Sequence, residues 1–260
     1  MTRLADAFAR ARGEGRPALV TYLMGGDTSL EATEALLVAL DLSGADVIEL
    51  GIPFSDPIAD GPVLQAAATR ALKGGANLPK LLDLMTRLKG KLHTPVVAMG
   101  YLNPLLAMGL DAFAAAAANA GLSGAIVPDL PLEEAEPLRT ALGAHGLDLI
   151  PLVAPTTGSE RMKAIAASAT GFVYYVSVTG VTGARADLPA DVAERIAELR
   201  RASAAPVAVG FGIARPEQAA ALRGIADGVV VGSALVATHF EKGVVAAAEL
   251  VRSLAAALRP

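Results

Sequence analysis

The sequence predicts an α/β fold, a (β/α)8 or TIM barrel, formed as a single domain over residues 1–260 with an extra helix at the N-terminus. Eight short β-type runs alternate with helical runs, which is the order of elements in such a barrel. No change in composition and no linker marks a second domain. The length of 260 residues is also close to the roughly 250 residues usual for this fold.

Two other arrangements compete with the barrel: two smaller domains, and an open doubly wound sheet. The chain length alone allows either of them. However, the turn after the first strand, Gly25-Gly26-Asp27, lacks the Gly-x-Gly-x-x-Gly pattern of dinucleotide-binding sheets. Closing eight units into a barrel also removes exposed strand edges. Both points favour the barrel.

The predicted elements follow from hydrophobic periodicity and from turn residues. Strands are predicted at 18–24, 47–51, 95–99, 124–127, 147–153, 171–177, 206–210 and 228–231. Helices are predicted at 3–12, about 29–42, from 62 onward, 78–89, 110–120, 132–144, up to 167, 189–203, 216–222 and 244–258. Thr28 or Ser29 can cap the second helix, and Pro62 suits a first helical turn. The first helix is amphipathic, so we expect it to cover one end of the barrel.

Composition excludes several classes of function. The net charge is −4 and aromatic residues make up 4%, so no basic stripe or stacking platform indicates a nucleic-acid partner. The absence of cysteine rules out disulfides, thiolate nucleophiles and thiolate metal sites. Long uncharged stretches are interrupted by Gly, Pro or Asn, so no membrane span is expected. We therefore expect a cytoplasmic protein that acts on a small molecule.

The stretch from Asp46 to Pro62 carries the strongest sign of chemistry. Strand alternation places Val47, Glu49 and Gly51 on one face, so a carboxylate lies within an apolar strand. Strand interiors disfavour Glu, and a buried carboxylate is costly unless it has a role. Glu49 is therefore a candidate general acid or base, with an exposed strand end as the alternative.

In a barrel, every loop that follows a strand lies at the same mouth. This geometry predicts that several polar or aromatic groups converge there: Glu49, the loop 54–60, Tyr101, Asp129, Tyr174 or Tyr175, and the loop 178–188. The loop 178–188 is unusually long and contains two glycines, so we expect it to close over the mouth as a lid.

Glycine-rich turns follow the last three strands. They are Gly180-Val-Thr-Gly183, Gly210-Phe-Gly212 and Gly232-Ser233. Each is a weak signal alone, but barrels bind phosphate at these positions because glycine lets backbone N–H groups approach the anion. Three ordinary turns are the alternative. The pattern favours a phosphorylated substrate.

Other catalytic devices are disfavoured. Asp56 and Asp60 are too few ligands for a Mg²⁺ or Ca²⁺ cage. No lysine lies at a strand end, which argues against a Schiff base. The histidines fall outside the strand ends and are expected to be surface residues: His93, His145 and His239.

Five motifs together resemble one known family. They are Ile48-Glu-Leu-Gly-Ile-Pro-Phe-Ser-Asp-Pro-Ile-Ala-Asp-Gly61, Tyr101-Leu-Asn-Pro104, Val127-Pro-Asp-Leu-Pro131, Ser177-Val-Thr-Gly-Val-Thr-Gly183 and Gly210-Phe-Gly-Ile213. The chain closely resembles the α subunits of tryptophan synthase, nearly end to end. The first motif agrees with the family signature at fourteen consecutive positions, 48–61, including both catalytic acids.

The resemblance implies a lyase that cleaves indole-3-glycerol phosphate by a retro-aldol reaction into indole and glyceraldehyde 3-phosphate. It implies that indole passes to a β subunit for L-tryptophan synthesis, within an α2β2 heterotetramer. Pyridoxal phosphate is expected in that partner and no cofactor in this chain. Loops 54–57, 103–104 and 129–131 are expected to face the β subunit.

The resemblance also assigns roles to residues. Glu49 matches the acid/base, and Asp60 matches the acid that holds the indole N–H. Substrate contacts are expected from Tyr22, Tyr101, Tyr174, Thr182 and Phe211. The phosphate is expected at Gly183, Gly212, Gly232 and Ser233.

Two positions depart from the family pattern, Tyr22 where Phe is expected and Val178 where a basic residue is frequent. A subunit that only activates its β partner is one competing function, and the intact Glu49 and Asp60 argue against it. A sugar-phosphate epimerase or isomerase is another, and the lack of histidine or metal ligands at the strand ends argues against that.

Overall fold

The computed structural model of the chain describes residues 2–176, 190–210 and 212–260. The strands are β1 (Ala18–Met24), β2 (Val47–Gly51), β3 (Val96–Met99), β4 (Gly124–Ile126), β5 (Asp148–Ile150), β6 (Leu152–Val153), β7 (Val173–Val176), β8 (Val207–Gly210) and β9 (Gly228–Val231). The helices are α1 (Arg3–Gly13), α2 (Leu30–Asp41), α3 (Pro62–Lys73), α4 (Leu78–Leu88), α5 (Leu102–Met108), α6 (Leu110–Asn119), α7 (Glu136–Ala144), α8 (Ser159–Ala167), α9 (Ala190–Ala202), α10 (Pro216–Ala220) and α11 (Ser233–Leu258).

All pairings in the sheet are parallel, in the order β5-β4-β3-β2-β1-β9-β8-β7-β6. The two strands at the ends of this order are separated in the chain only by Pro151. They are therefore two halves of one predicted strand, one half paired with β4 and the other with β7. Proline has no N–H to donate, which interrupts the ladder at this point. The sheet thus closes through Pro151, and the predicted barrel is confirmed.

Three other predicted segments differ from those observed. Residues 103–104 were expected to form a loop, but they lie in α5, because Pro104 is in a first helical turn where its missing N–H costs no hydrogen bond. The helix predicted over 132–144 is divided into a 3₁₀ turn at Leu132–Glu134 and α7. The helix predicted over 244–258 is preceded by a further helical stretch, and a kink at Gly243 separates the two.

The N-terminal end of the barrel is closed by α1. Thr2 caps this helix, and its apolar side, with Leu4 and Phe8, enters the cluster formed by inward-facing strand residues. Phe8 lies 5.2 Å from Phe172 between ring centroids. A Cβ at Gly228 would come within 2.8 Å of the Phe8 ring, so this strand position requires glycine. The opposite, C-terminal mouth is therefore the end left for a ligand.

Strand alternation separates two apolar environments. Val20, Val47 and Val97 point into the barrel, whereas Leu19 and Ile48 pack outward beneath the helices. Because Val47 points inward and side chains alternate along a strand, Glu49 also points into the barrel. None of the helices in the described ranges combines the length and apolar character needed to cross a bilayer.

Candidate active site

Glu49 lies in the middle of β2, paired with Tyr22 of β1 and Val97 of β3. The side chain is 0% exposed, and neither carboxyl oxygen has a hydrogen-bond partner within the described structure. Burial raises the pKa of Glu49 to about 8, because an ionised carboxylate loses its hydration inside the barrel. At neutral pH this group therefore holds a proton that it can give away.

Asp60 lies in the loop between β2 and α3. Its N–H donates to the Pro57 carbonyl at 3.0 Å, and its own carbonyl accepts from Gln65 Nε2 at 2.8 Å. Burial raises the pKa of Asp60 to about 6, while a hydrogen bond with Tyr101 opposes the increase. Asp60 is thus ionised at neutral pH, whereas Glu49 is not. Environments that push two pKa values apart in this way characterise acid–base pairs.

Tyr101 connects three loops at the mouth. Its hydroxyl accepts a hydrogen bond from the Ala59 N–H at 2.9 Å, and its ring stacks on Phe54 with centroids 5.4 Å apart. The neighbouring Leu102 N–H donates to the Asp129 carboxylate at 2.9 Å. The loops after β2, β3 and β4 are therefore fastened to one another, and the backbone beside Asp60 is held.

Tyr22 and Tyr174 are buried on the inner face of the barrel. Burial raises both pKa values well above the usual value, and the charges of Asp60 and Glu49 raise them further. The two acids and the two hydroxyls therefore form one electrostatic group. The sequence left open whether Tyr174 or Tyr175 faces inward. Tyr174 packs in the barrel interior and Tyr175 packs outward.

Both inward tyrosines need glycine on a neighbouring strand. A Cβ at Gly51 would lie 2.2 Å from the Tyr22 hydroxyl oxygen. A Cβ at Gly210 would lie 2.8 Å from the Tyr174 hydroxyl oxygen. Side chains at these positions would displace the phenols from the acids.

The turn after β9 leads directly into α11. Gly232 precedes the helix, and its carbonyl accepts from the Leu235 and Val236 N–H groups at 2.9 and 3.0 Å. The N–H groups of the first turn, with the Ser233 hydroxyl, are suited to an anion, because the helix dipole is positive there. Gly212 follows the adjacent strand β8 and has a φ of 63°, a left-handed conformation that favours glycine. The structure thus brings two of the predicted phosphate turns to neighbouring strands.

Three predicted contact residues lie outside the described residues: Thr182, Gly183 and Phe211. The same holds for the predicted lid, 178–188. Their expected roles therefore stay predictions.

A cavity of about 620 Å³ opens at the mouth. Its wall includes Asp60, together with Met99, Leu152 and Val176, whose side chains project from the inner face of the barrel. Glu49 does not reach this wall, which agrees with its complete burial. The lining is mainly apolar with a few polar groups, as is usual for a small-molecule site.

Known proteins match this chain over almost its whole length. The family model for the tryptophan synthase alpha chain matches residues 8–258. The chain belongs to the tryptophan synthase alpha chain family. A tryptophan synthase alpha chain of Geobacter sulfurreducens is 51% identical, with 98% of this chain and 96% of that protein covered. One from Synechococcus elongatus is 48% identical, with 99% and 97% covered.

Solved structures agree with the family assignment. A tryptophan synthase of M. tuberculosis, in an open form with BRD0059 bound, has a TM-score of 0.91 at 38% identity, with 100% of this chain and 99% of that chain covered. The tryptophan synthase subunit alpha of Legionella pneumophila has a TM-score of 0.91 at 38% identity, with 99% and 98% covered. The predicted family and its barrel fold are therefore confirmed.

Sequence motifs do not identify every residue of the site. Met99 and Leu152 line the cavity, yet apolar strand residues carry no chemical signal of their own. Continuing the two-residue alternation from Val97 would have placed Met99 inward. His239 was expected at the surface and is buried instead, because it lies on the side of α11 that packs against the barrel.

The same burial lowers the pKa of His239, while the nearby charge of Asp27 opposes the decrease. His93 and His145 are exposed, as expected. Within the described ranges of this alpha chain, no cluster of three or more His, Asp or Glu side chains is arranged to hold a metal ion.

Proposed function

We propose that this chain is the α subunit of tryptophan synthase and cleaves indole-3-glycerol phosphate into indole and glyceraldehyde 3-phosphate. The observation that carries the proposal is the pair of acids, Glu49 inside the barrel and Asp60 at the mouth. Glu49 is fully buried with a pKa of about 8, and Asp60 lies beside the cavity with a pKa of about 6. A retro-aldol cleavage of this substrate needs one acid that gives a proton and one that remains charged.

Glu49 performs the proton transfers in this mechanism. Its carboxylic acid gives a proton to the indole ring carbon that bears the glyceryl chain, and the ring nitrogen becomes positively charged. The Glu49 carboxylate then takes the proton of the adjacent glyceryl hydroxyl. The bond between the ring carbon and the glyceryl carbon breaks, the aldehyde C=O forms, and the bonding electrons restore the neutral indole ring. Glu49 ends the cycle protonated.

Asp60 stabilises the intermediate. Its carboxylate accepts the indole N–H and offsets the charge that develops on the ring, in a largely desolvated place where such an interaction is strong. The Tyr101 hydrogen bond favours the ionised form of Asp60. The required states, Glu49 protonated and Asp60 ionised, coexist between about pH 6 and pH 8. The activity should therefore be greatest in that interval.

The substrate is held at its two ends. Met99, Leu152 and the buried Tyr22 and Tyr174 supply apolar surface for the indole ring. The phosphate binds at the other end, at Gly212 and the Gly232–Ser233 turn. Thr182, Gly183 and Phe211 complete these contacts in the proposal, with the loop 178–188 as a lid.

A β subunit that carries pyridoxal phosphate is the proposed partner, in an α2β2 assembly. Apolar side chains stand exposed at the mouth, with Ile58 83% exposed and Leu106 51% exposed. Surfaces of this kind mark contacts with other proteins. The proposed contact comprises the loops 54–57 and 129–131 and residues 103–104 at the start of α5. We further propose that residues 1–260 form one domain and that the protein is cytoplasmic.

The direct test is the release of indole from indole-3-glycerol phosphate by the wild type and by Glu49→Gln. The variant keeps the side-chain shape and loses the proton, so its kcat should fall by about 10²–10⁴-fold. Glu34→Gln, at an exposed position of α2, is the matched control and should retain the wild-type rate. A wild-type rate in Glu49→Gln, or no indole from the wild type, would refute the proposal.

A further inference from the structure

Asp27, Arg70 and Phe240 form a contact that joins three elements, here called the Asp27 tie. Asp27 lies in the turn after β1 and is 2% exposed. Arg70 of α3 donates to both of its carboxylate oxygens, from Nε at 2.7 Å and from Nη2 at 2.9 Å. The Arg70 guanidinium also lies over the Phe240 ring of α11, 3.7 Å from the centroid. One arginine thus fixes the relative positions of the β1 turn, α3 and α11.

The apolar packing of α3 does not by itself fix the position of the helix. The helix turns three small side chains, Ala67, Ala68 and Ala71, towards the cluster that contains Met24 and Val236. Alanines interdigitate little, so they place few limits on sliding or rotation of a helix. A bidentate arginine–carboxylate pair is directional and supplies that limit.

The position of α3 determines the position of Asp60. Gly61 is the N-cap of this helix, directly after Asp60. Gln65 in the first turn donates from Nε2 to the Asp60 carbonyl at 2.8 Å and from its backbone N–H to Gly61 at 3.0 Å. A shift of α3 along its axis would therefore move the Asp60 backbone with it.

The position of α11 likewise determines the position of the anion-binding turn. The helix begins at Ser233, and Phe240 follows two turns later on the same rigid segment, before the kink at Gly243. The Asp27 tie therefore connects the segment that carries Asp60 with the Gly232–Ser233 turn.

We propose that Asp27, Arg70 and Phe240 are positioning residues that set the separation between the Asp60 carboxylate and the Gly232–Ser233 turn. The proposal rests on the proposed function, because both groups must contact one substrate. A substrate that spans two subsites reacts well only when their spacing places its reacting atoms correctly, and an error of about 1 Å can cost about 10²-fold in rate.

The test compares ligands that span the site with one that does not. Arg70→Lys keeps the charge but replaces the planar fork by a single-point donor, and Phe240→Leu removes only the ring contact. The probes are inorganic phosphate, which needs only the turn, and an uncleavable indolylpropyl phosphate, which spans both subsites. The kcat and KM for indole release and the thermal midpoint are measured on the same proteins. Arg87→Lys is the matched control, since its pair with Glu34 is exposed at 3.6 Å.

We expect Arg70→Lys to lower kcat and the affinity for indolylpropyl phosphate by about tenfold or more, with phosphate affinity unchanged. Phe240→Leu should show a smaller change of the same pattern, and Arg87→Lys none. Equal losses for both probes, or wild-type kcat and probe affinities in Arg70→Lys, would show that the tie is only structural. If Arg70→Lys does not fold, the same criteria apply to Phe240→Leu. Failure of the proposed function is separate, because the wild type itself would then release no indole.

Discussion

Asp46 and Glu49 are buried carboxyl groups three positions apart in the sequence, yet their environments are opposite. Asp46 is 3% exposed at the end of the barrel closed by α1. It accepts from the Leu19 N–H at 2.8 Å and from Arg16 at 2.6 and 3.0 Å. Glu49 faces the inside of the barrel and accepts no hydrogen bond within the described structure.

This difference shows that partners, not burial, distinguish a structural carboxylate from a chemical one. A buried charge is costly unless it is paired and hydrogen-bonded, as Asp46 is. Glu49 avoids that cost by remaining protonated, which keeps it ready for proton transfer. The two groups should consequently respond to substitution in opposite ways.

The largest expected effect extends the comparison to the second acid at the mouth. Asp60→Asn should lower kcat by about 10²–10³-fold, because it removes the charge that stabilises the indole intermediate in the proposed mechanism. The thermal midpoint should change little, since the Asp60 side chain interacts mainly with Tyr101. Indole release and a thermal melt of the same preparation check both parts. A large loss of stability would show that Asp60, like Asp46, has a structural role.

The next effect concerns stability alone. Asp46→Asn leaves Arg16, whose side chain is 10% exposed, with only the half-exposed Glu14 carboxylate as a counter-charge. The free energy of unfolding should fall by about 1.5–3 kcal/mol, because hydrogen bonds between charged groups are lost. The kcat of the folded fraction should match the wild type, because the site lies at the other end of the barrel. Urea unfolding and active-site titration provide the measurements, and a reduced kcat per folded molecule would contradict the separation of the two ends.

A pH series of unfolding free energies sharpens the comparison further. The folded-state pKa of Glu49, about 8, exceeds the ordinary value of 4.5. The stability that this group contributes is therefore complete below pH 4.5 and declines as the pH rises to about 8. The wild type should lose up to about 1.4 kcal/mol per pH unit relative to Glu49→Gln in that interval. A constant difference between the two proteins would show that Glu49 is already ionised in the folded state.

The smallest expected effect concerns the exposed neighbour of Asp46. Arg10 lies 3.7 Å from this carboxylate, but its own side chain is 56% exposed. Arg10→Gln should change the free energy of unfolding by less than about 1 kcal/mol, because solvent screens the pair. A loss as large as that in Asp46→Asn would show that Arg10, rather than Arg16, balances the buried charge.

Much of the barrel could be predicted because local patterns determine it. Apolar runs and alternation gave β1, β2 and β9 with the bounds that the structure shows. The same alternation placed Glu49 inside the barrel. By contrast, the break at Pro151 depends on which strand pairs with which half, and the choice between Tyr174 and Tyr175 depends on the register with β8. Neither feature can be predicted from a short stretch of sequence.

Contacts between distant residues explain the remaining gaps. The Asp27–Arg70 pair joins residues 43 positions apart, and the Arg16–Asp46 pair joins residues 30 apart. Sequence shows only that such charges exist, and many charges on a chain are solvated. Family resemblance could supply the roles of Glu49 and Asp60, but it could not supply the hydrogen bonds that Asp46 has and Glu49 lacks.

Helix α1, which closes the N-terminal end of the barrel, is synthesised first but completes its packing late. Leu4 and Phe8 lie beside Gly171 and Gly228, which follow them in the chain by more than 160 and 210 residues. A ribosome must therefore synthesise most of the protein before the surface that receives the first helix is complete. Until then its apolar side remains exposed on the nascent chain, where chaperones or premature association could capture it. Closure of the N-terminal end of the barrel by α1 should thus be a late event in folding. The strands near the middle of the chain should assemble before it.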